Sequence, residues 1–163
     1  MSRHVQALPF KPSKLRNLSP RLIASHYENN YGGAVRRLNA IRAQLAALDA
    51  SAAPGFMLNG LKREELVAAN SADLHELYFD SLGSGETVSS EMEAVLSRDF
   101  GTFESWRREF TAMGKALGGG SGWVLLSLSL RDGRVRNAWA ADHTHAPALG
   151  LPILALDMYE HAY

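Results

Sequence analysis

The chain has 163 residues, enough for one domain or for two small lobes that share a core. The 17 Lys and Arg residues balance the 17 Asp and Glu residues, which argues against a dedicated nucleic-acid-binding protein. The absence of cysteine excludes disulfides, iron–sulfur clusters, thiolate zinc sites and cysteine nucleophiles, so any metal must be held by histidine and carboxylate side chains.

Charge is unevenly distributed along the chain. Residues 1–50 carry eight Lys or Arg and two Asp or Glu, whereas residues 51–163 carry nine and fifteen. A positive half can draw small anions toward a site. The first residues lack the apolar run of a signal peptide, and the sequence has no run of about 18 apolar residues. We therefore expect a cytoplasmic protein that neither spans a membrane nor binds nucleic acid.

The N-terminal part of the chain is predicted to begin with an extended arm and a long helix. The arm covers about the first fifteen residues. Ser19 followed by Pro20 is typical of an N-cap and the first helical position, and the helix is expected to reach about Leu48. Gly32-Gly33 lies inside it, and two interior glycines cost about 1 kcal/mol each relative to alanine, which predicts a kink or a close packing contact there.

The rest of the chain is predicted to contain further helices and then a small sheet. After a linker over residues 49–60, helices are expected at about 62–82, 89–97 and 103–117, with Asn70 as the candidate position for a break. Strands are expected at 123–130, 134–141 and 151–156, with a hairpin turn at Arg131-Asp132-Gly133. The fold class is therefore α+β, with an N-terminal α-helical hairpin lobe over residues 1–85. A C-terminal mixed α/β lobe over residues 86–163 carries a small three-stranded antiparallel sheet.

Histidine is the most informative residue type in this chain. The chain has six: His4, His26, His75, His143, His145 and His161. A single histidine is more often structural than a ligand. Asp157 and His161 follow an apolar strand within LDMYEHAY, and an acid and a histidine four residues apart can point at one centre. That spacing is common by chance, so the pair alone is a weak indication.

Four segments, in order, resemble one known family. They are IASHYENNYGGAVRRLN, ADLHELYFDSLG, DFGTFESWRREFTAMGKALGGGSGWVLL and LDMYEHAY. The last is similar to the C-terminal metal signature of the iron/manganese superoxide dismutases, and the other three resemble the family's two metal-binding helices and the segment that joins helices to sheet. The resemblance covers nearly the whole chain and implies this family's fold.

The resemblance implies one Fe or Mn ion per chain, held by His26, His75, Asp157 and His161. Three imidazoles and one carboxylate suit either metal in both the +2 and +3 states, and a fifth position is left for water or hydroxide. The implied activity is dismutation of superoxide to oxygen and hydrogen peroxide, in a homodimer. The sequence does not choose between Fe and Mn.

The resemblance also implies residues around the ligands. His143 is the candidate for the catalytic side chain that faces the fifth coordination position, with His145 as the alternative; Ser71 occupies the position where other members carry a glutamine for this role. Further surrounding residues are Trp123, which would wall the pocket, Glu160, which would reach a partner subunit's ligand histidine, and Asn30, Tyr78 and Tyr163.

Two departures from the family concern the substrate channel. The family has a histidine four residues after the first ligand and a tyrosine eight residues after it, where this chain has Asn30 and Ala34. Tyr31 lies about 140° around a regular helix from His26, so it reaches the channel only if Gly32-Gly33 or a bulge rewinds that turn. The family also continues past the position of Tyr163 with a final helix.

Three functions follow from these observations. The intact ligand set favours a superoxide dismutase, and the departures at Asn30 and Ala34 predict slower turnover. The same departures favour, as the alternative, a dismutase-like protein that binds metal or a partner with little activity. A zinc hydrolase is disfavoured, because catalytic zinc sites usually keep three protein ligands.

Overall fold

The computed structural model describes residues 2–83 and 87–163 of the chain. Its helices, in chain order, are the 3-10 helix Pro12–Lys14, α1 Pro20–Ser25, the π-helix His26–Tyr31, α2 Gly32–Ala47, α3 Gly55–Ser81, α4 Ser90–Phe100, α5 Phe103–Leu117 and the 3-10 helix Glu160–Ala162. The strands are β1 Trp123–Ser129, β2 Val135–Ala140 and β3 Gly150–Asp157. The predicted α+β class is confirmed.

The first long helical segment is irregular, as Gly32-Gly33 predicts, but the irregularity lies just before these glycines and not at them. Ser19 caps α1, and its hydroxyl accepts a hydrogen bond of 3.1 Å from the backbone N–H of Leu22. The segment then widens into the π-helix before Gly32 and returns to α-helix in α2. The glycines therefore begin a regular helix, and the extra residue is accommodated just before them.

The second long helix is longer than predicted and unbroken. It begins at Gly55, although Gly55 and Gly60 had suggested a linker there. The packing of α3 against α2, through the buried residues Leu38, Ile41 and Ala68, offsets the cost of the glycines. Asn70 does not break α3, because its side-chain amide donates a 2.6 Å hydrogen bond to the carbonyl oxygen of His143.

The sheet has the strand order β2-β1-β3 with both pairings antiparallel. The central strand β1 contributes to two separate cores. Trp123 and Leu125 belong to a cluster that includes buried residues of α1, α2 and α3, whereas Leu126 belongs to a second cluster with α4 and α5. A register shift in the pairing with β3 lies between Leu126 and Ser127. The first cluster joins the N-terminal helices to the sheet.

The predicted boundary between the two lobes, at residues 85 and 86, lies outside the described residues. Within residues 2–83 and 87–163, no helix combines the length and the apolar character that crossing a membrane requires.

Gly122 is required by the close approach of β1 to β2. Its φ is +129°, and a Cβ atom there would lie 2.4 Å from the carbonyl oxygen of Ala140. Its own carbonyl accepts a 3.0 Å hydrogen bond from the N–H of Met158, directly after β3. Gly122 therefore holds the sheet at the end where β3 terminates.

We expect Gly122→Ala to lower the free energy of unfolding by about 1 to 3 kcal/mol, because alanine is strained at this φ. The matched control is Gly60→Ala, which has open space around it in α3 and should raise stability by about 1 kcal/mol. Urea unfolding of the metal-free chain measures both. Equal stability of Gly122→Ala and wild type would contradict the argument.

Candidate metal centre

Four side chains from different elements converge between the helices and the sheet. His26 begins the π-helix, His75 lies on α3, Asp157 ends β3, and His161 lies on the C-terminal 3-10 helix. One potential ligand atom from each lies within 4.8 Å of all the others. The Oδ2 atom of Asp157 is 3.2 Å from His26 Nε2, 3.7 Å from His75 Nε2 and 3.5 Å from His161 Nε2. The structure thus brings together all four predicted ligand residues.

These four atoms fit a bound cation. Asp157 Oδ2 and the three Nε2 atoms are buried and have no hydrogen-bond partner within the described part of the chain. Buried polar atoms are costly when left unpaired, and four of them facing one point is the arrangement that a metal ion satisfies. Ligands about 2.0 to 2.2 Å from one ion lie roughly 3 to 4 Å apart, which is the range of the three distances from Asp157 Oδ2. Three imidazoles and one carboxylate suit Fe or Mn.

A second set of contacts orients two of the four side chains. The backbone N–H of Tyr159 donates a 2.9 Å hydrogen bond to Asp157 Oδ1, which leaves Oδ2 free. His75 Nδ1 lies 2.6 Å from the carbonyl oxygen of Ser71, which can only accept, so His75 carries its proton on Nδ1. Each contact directs an unprotonated atom toward the common centre.

The electrostatics of the site favour the charge states that bind metal. Burial would raise the pKa of Asp157, but the nearby imidazoles of His161 and His26 outweigh it and lower the pKa to about 2. Burial lowers the pKa of His75 to about 4. At neutral pH the site therefore offers a carboxylate and, at His75, a neutral imidazole, which are the forms that coordinate a cation.

Aromatic rings pack around the cluster. The ring centroid of His26 is 5.3 Å from Tyr78 and 5.0 Å from Phe79, and that of His75 is 5.2 Å from Trp123. Tyr78 is buried, which raises its pKa to about 12, and its hydroxyl donates a 3.2 Å hydrogen bond to the carbonyl oxygen of Ala162. The predicted surrounding residues Trp123 and Tyr78 thus form part of this wall.

Tyr159 completes the wall, although it is not among the site residues that the sequence predicts. Its ring stacks on His161 at 5.4 Å and on His143 at 5.3 Å, so it separates and holds both imidazoles. Its place in LDMYEHAY, where the family signature has tryptophan, was the available signal.

The structure distinguishes the two histidines that the sequence left open. Trp123 Nε1 donates a 3.0 Å hydrogen bond to His143 Nδ1, and the His143 ring lies 6.1 Å from that of His75. Because an indole N–H can only donate, His143 Nδ1 accepts and the proton of the neutral ring is on Nε2. His145 instead is half exposed, lies near Asp142 and stacks on Trp139.

A cavity of about 320 Å³ reaches His143 from the surface. Ala34 and Ser71 line it at the two positions where the family carries larger side chains, and Arg37 lines its outer part. Arg37 also forms a 2.7 Å ion pair with Glu64, so its positive charge is partly neutralised. The small side chains leave room for water and small anions beside His143.

Tyr31 does turn toward the ligands, but it does not line this cavity. A π-helix winds fewer degrees per residue than an α-helix, which brings Tyr31 round to the core, where its ring stacks 6.5 Å from His75. Its hydroxyl donates a 2.6 Å hydrogen bond to Glu76 Oε1 and accepts one of 2.8 Å from the N–H of Gln6. Tyr31 therefore anchors the N-terminal arm behind His75.

The three remaining predicted residues, Asn30, Glu160 and Tyr163, lie in different surroundings. Asn30 Nδ2 lies 3.3 Å from His161 Nδ1. Glu160 is exposed on the C-terminal 3-10 helix. Tyr163 is 54% exposed, and its hydroxyl accepts a 3.3 Å hydrogen bond from the N–H of Gly119, so it ties the chain to the turn before β1.

Sequence comparisons place this site in a known family. Residues 88–163 match the C-terminal domain of the iron/manganese superoxide dismutases. The chain is 63% identical over all its 163 residues to a superoxide dismutase [Fe] of Cupriavidus metallidurans, of which it covers 83%. A superoxide dismutase [Fe] of Aquifex pyrophilus is 32% identical over 94% of the chain and 74% of the relative. A superoxide dismutase [Mn] 2 of Haloferax volcanii is 28% identical over 100% of the chain and 82% of the relative. The chain therefore belongs to the iron/manganese superoxide dismutase family.

Proposed function

We propose that this chain is a superoxide dismutase whose single Fe or Mn ion is bound by His26, His75, Asp157 and His161. The observation that supports the ligand assignment most directly is that four buried ligand atoms lie within 4.8 Å of one another. None of them has a hydrogen-bond partner among the described residues. The donor set suits both metals. Iron is the first metal to test, because the relative from Cupriavidus metallidurans is named an iron enzyme.

The reaction converts two superoxide anions and two protons into oxygen and hydrogen peroxide. When bound, the ion supplies the redox step, taking one electron from the first superoxide and giving it to the second. The protein supplies the protons and excludes competing reactions. The aromatic wall around the ligands keeps bulk water out, and the cavity beside His143 is the approach for a small anion.

His143 is the side chain that we assign to proton handling. Because Trp123 donates to its Nδ1, its Nε2–H is the donor that remains for a reacting oxygen. Burial lowers the pKa of His143, which favours the neutral ring with one N–H over the doubly protonated cation. Stacking on Tyr159 and the hydrogen bond from Trp123 fix the plane of the ring.

Proton delivery to the second superoxide is the step that we expect to limit turnover. Asn30 and Ala34 stand where the family has a histidine and a tyrosine, and Ala34 has no group that donates a proton. Water in the cavity beside Ala34 and Ser71 can relay protons instead, which preserves turnover at a lower rate. A dismutase-like protein with little activity is the alternative that these two residues favour.

We further propose that the chain forms a homodimer in the cytoplasm. The support for the dimer is the exposure of Glu160 next to His161, where the family signature places a contact across a two-fold axis.

The ligand assignment is tested by metal-dependent stability. Fe²⁺ or Mn²⁺ at a thousandfold excess over its dissociation constant should stabilise the wild-type chain by about 4 kcal/mol. Asp157→Asn, which keeps the shape of the side chain and removes its charge, should lose most of that gain. The matched control is His145→Gln, which should keep it. Thermal unfolding with and without metal measures all three, and stoichiometric metal bound to Asp157→Asn would contradict the assignment.

The activity is tested by pulse radiolysis of the metal-replete chain, which follows the two half-reactions separately. We expect oxidation of the first superoxide to be fast and reduction of the second to be slower. His143→Leu should slow the second step by about 100-fold, whereas His143→Gln should retain more activity, because its amide oxygen can accept the hydrogen bond from Trp123 and its NH2 group can still donate a hydrogen bond. If the metal-replete wild type performs neither step, the binding-protein alternative takes its place.

The dimer is tested by sedimentation at micromolar concentration. We expect a dimer for the wild-type chain and weaker association for Glu160→Lys, because the substitution reverses a charge at the proposed two-fold contact. Glu104→Lys, on the exposed start of α5, is the control. A stable wild-type monomer would refute the homodimer.

A further inference from the structure

Arg3 fastens the N-terminal arm to α2 and α3. The side-chain amide of Asn39, on α2, accepts a 2.9 Å hydrogen bond from the Arg3 N–H and donates one of 2.8 Å to the Arg3 carbonyl oxygen. The Arg3 guanidinium group spans two carboxylates of α3, with 2.5 Å to Asp73 Oδ1 and 2.6 Å to Glu76 Oε2. The side chains of Arg3 and Glu76 are 21% and 26% accessible, so this pair is partly shielded from the solvent that weakens surface ion pairs.

Glu76 connects Arg3 to Tyr31. One carboxylate oxygen of Glu76 accepts from Arg3, and the other accepts the 2.6 Å hydrogen bond from the Tyr31 hydroxyl. The same hydroxyl accepts a 2.8 Å hydrogen bond from the backbone N–H of Gln6, three residues further along the arm. The Tyr31 hydroxyl therefore has both an acceptor and a donor partner, and both partners depend on residues 3–6 of the arm.

The arm also packs closely against the aromatic rings beneath it. The hydroxyl of Tyr27 donates a 2.6 Å hydrogen bond to the Gln6 carbonyl oxygen, and its ring lies 5.6 Å from that of Tyr31. The cavity between the arm and these rings has a volume of about 10 Å³, which is room for one water molecule at most. Tyr31 is 1% exposed. Because close-packed side chains have little freedom to shift, the arm restricts where the Tyr31 ring can lie.

Tyr31 in turn limits the movement of the His75 ring. The hydrogen bond between His75 Nδ1 and the Ser71 carbonyl oxygen fixes one point of the imidazole, but it leaves the ring free to tilt about that point. The Tyr31 ring is stacked 6.5 Å from His75 at an interplanar angle of 28°, and Trp123 contacts His75 edge-on at 5.2 Å. Both separations fall in the range of favourable aromatic pairs, so the two rings oppose such a tilt.

We propose that the N-terminal arm supports the metal site: Arg3, acting through Glu76 and Tyr31, holds the imidazole of His75 in the orientation that binds the ion. This inference rests on the proposed function, in which His75 is a ligand. Arg3 and Tyr31 are positioning residues, since they act through other side chains. Because coupling between two sites is reciprocal, an ion that fixes His75 also favours the ordered arm.

The first test compares the metal affinities of four full-length chains by competition with a chelator, using Mn²⁺ and anaerobic Fe²⁺. Arg3→Gln removes the ion pair between the arm and Glu76. Tyr31→Phe keeps the ring and removes the hydroxyl that contacts Glu76 and Gln6. Each should weaken binding by about 10-fold relative to the wild type. Arg16→Gln, the same substitution at an exposed arginine at the end of the arm, should leave the affinity unchanged.

Hydrogen exchange of the N-terminal peptide, measured by mass spectrometry, separates this role from a merely structural one. In the wild-type chain, stoichiometric metal should slow exchange of the Arg3 and Gln6 amides, which donate to Asn39 and Tyr31. In Tyr31→Phe, metal should no longer slow exchange at Gln6. An arm that only stabilised the fold would protect these amides equally with and without metal.

Circular dichroism of the metal-free chains shows whether each variant folds. If Arg3→Gln does not fold, Arg3→Lys replaces it. Arg3→Lys keeps the positive charge, but an ammonium group does not reproduce the forked contact with Asp73 and Glu76. This variant should therefore bind metal less tightly than the wild type.

The outcomes distinguish this coupling from the ligand assignment. Wild-type affinity in Arg3→Gln (or in Arg3→Lys, if it takes its place) or in Tyr31→Phe overturns the coupling while the ligand assignment stands. So does a loss in Arg16→Gln equal to that in Arg3→Gln, or amide exchange in the wild-type arm that metal does not slow. A wild-type chain that binds no stoichiometric metal overturns the ligand assignment itself, and the coupling with it.

Discussion

The buried carboxylate of Asp157 is the constraint on which the rest of the site depends. Its Oδ2 atom lies at the end of β3 among three imidazole nitrogens, without a hydrogen-bond partner in the described part of the chain. An unpaired charge of this kind is among the most costly groups that a protein can bury. Burial would raise the pKa of this carboxyl group, but the imidazoles of His161 and His26 lower it to about 2, and a cation bound among the four ligand atoms would balance the remaining charge.

The elements that supply the ligands are held in register by contacts that do not involve a metal. Gly122 lets β1 approach β2 and accepts from Met158, which fixes the end of β3. Asn70 on α3 donates to the carbonyl of His143, and Trp123 on β1 donates to its ring. The first bond ties α3 to the segment between β2 and β3, and the second ties that segment to β1, so His143 is held beside the ligand residues.

The π-helix His26–Tyr31 changes which side chains of this segment face the metal ligands. It turns Tyr31 into the core behind His75 and leaves Asn30 facing His161. A regular α-helix would place Tyr31 about 140° away from His26. The gain is that Tyr31 packs against His75, and the cost is a poorer hydrogen-bond pattern over one turn. Single π turns of this kind are frequent at functional sites.

The sequence by itself determined the fold class, the approximate elements and a set of four candidate ligands, because ordered motifs and helical or alternating periodicity are local properties of the chain. It also flagged an irregularity near Gly32. It did not determine that α3 starts at Gly55 or that Asn70 is kept inside it, because packing against α2 and a bond to His143 override local preference there.

Only the tertiary structure decided which of His143 and His145 lies beside the ligands, and that Tyr159 stacks between two imidazoles. It alone joined Asn30 to His161 across 131 residues. The physical reason is the same in each case. Residue type and spacing determine which donor and acceptor atoms a segment can offer. Hydrogen bonds and ring stacking between distant segments depend on how those segments pack, which local sequence does not specify.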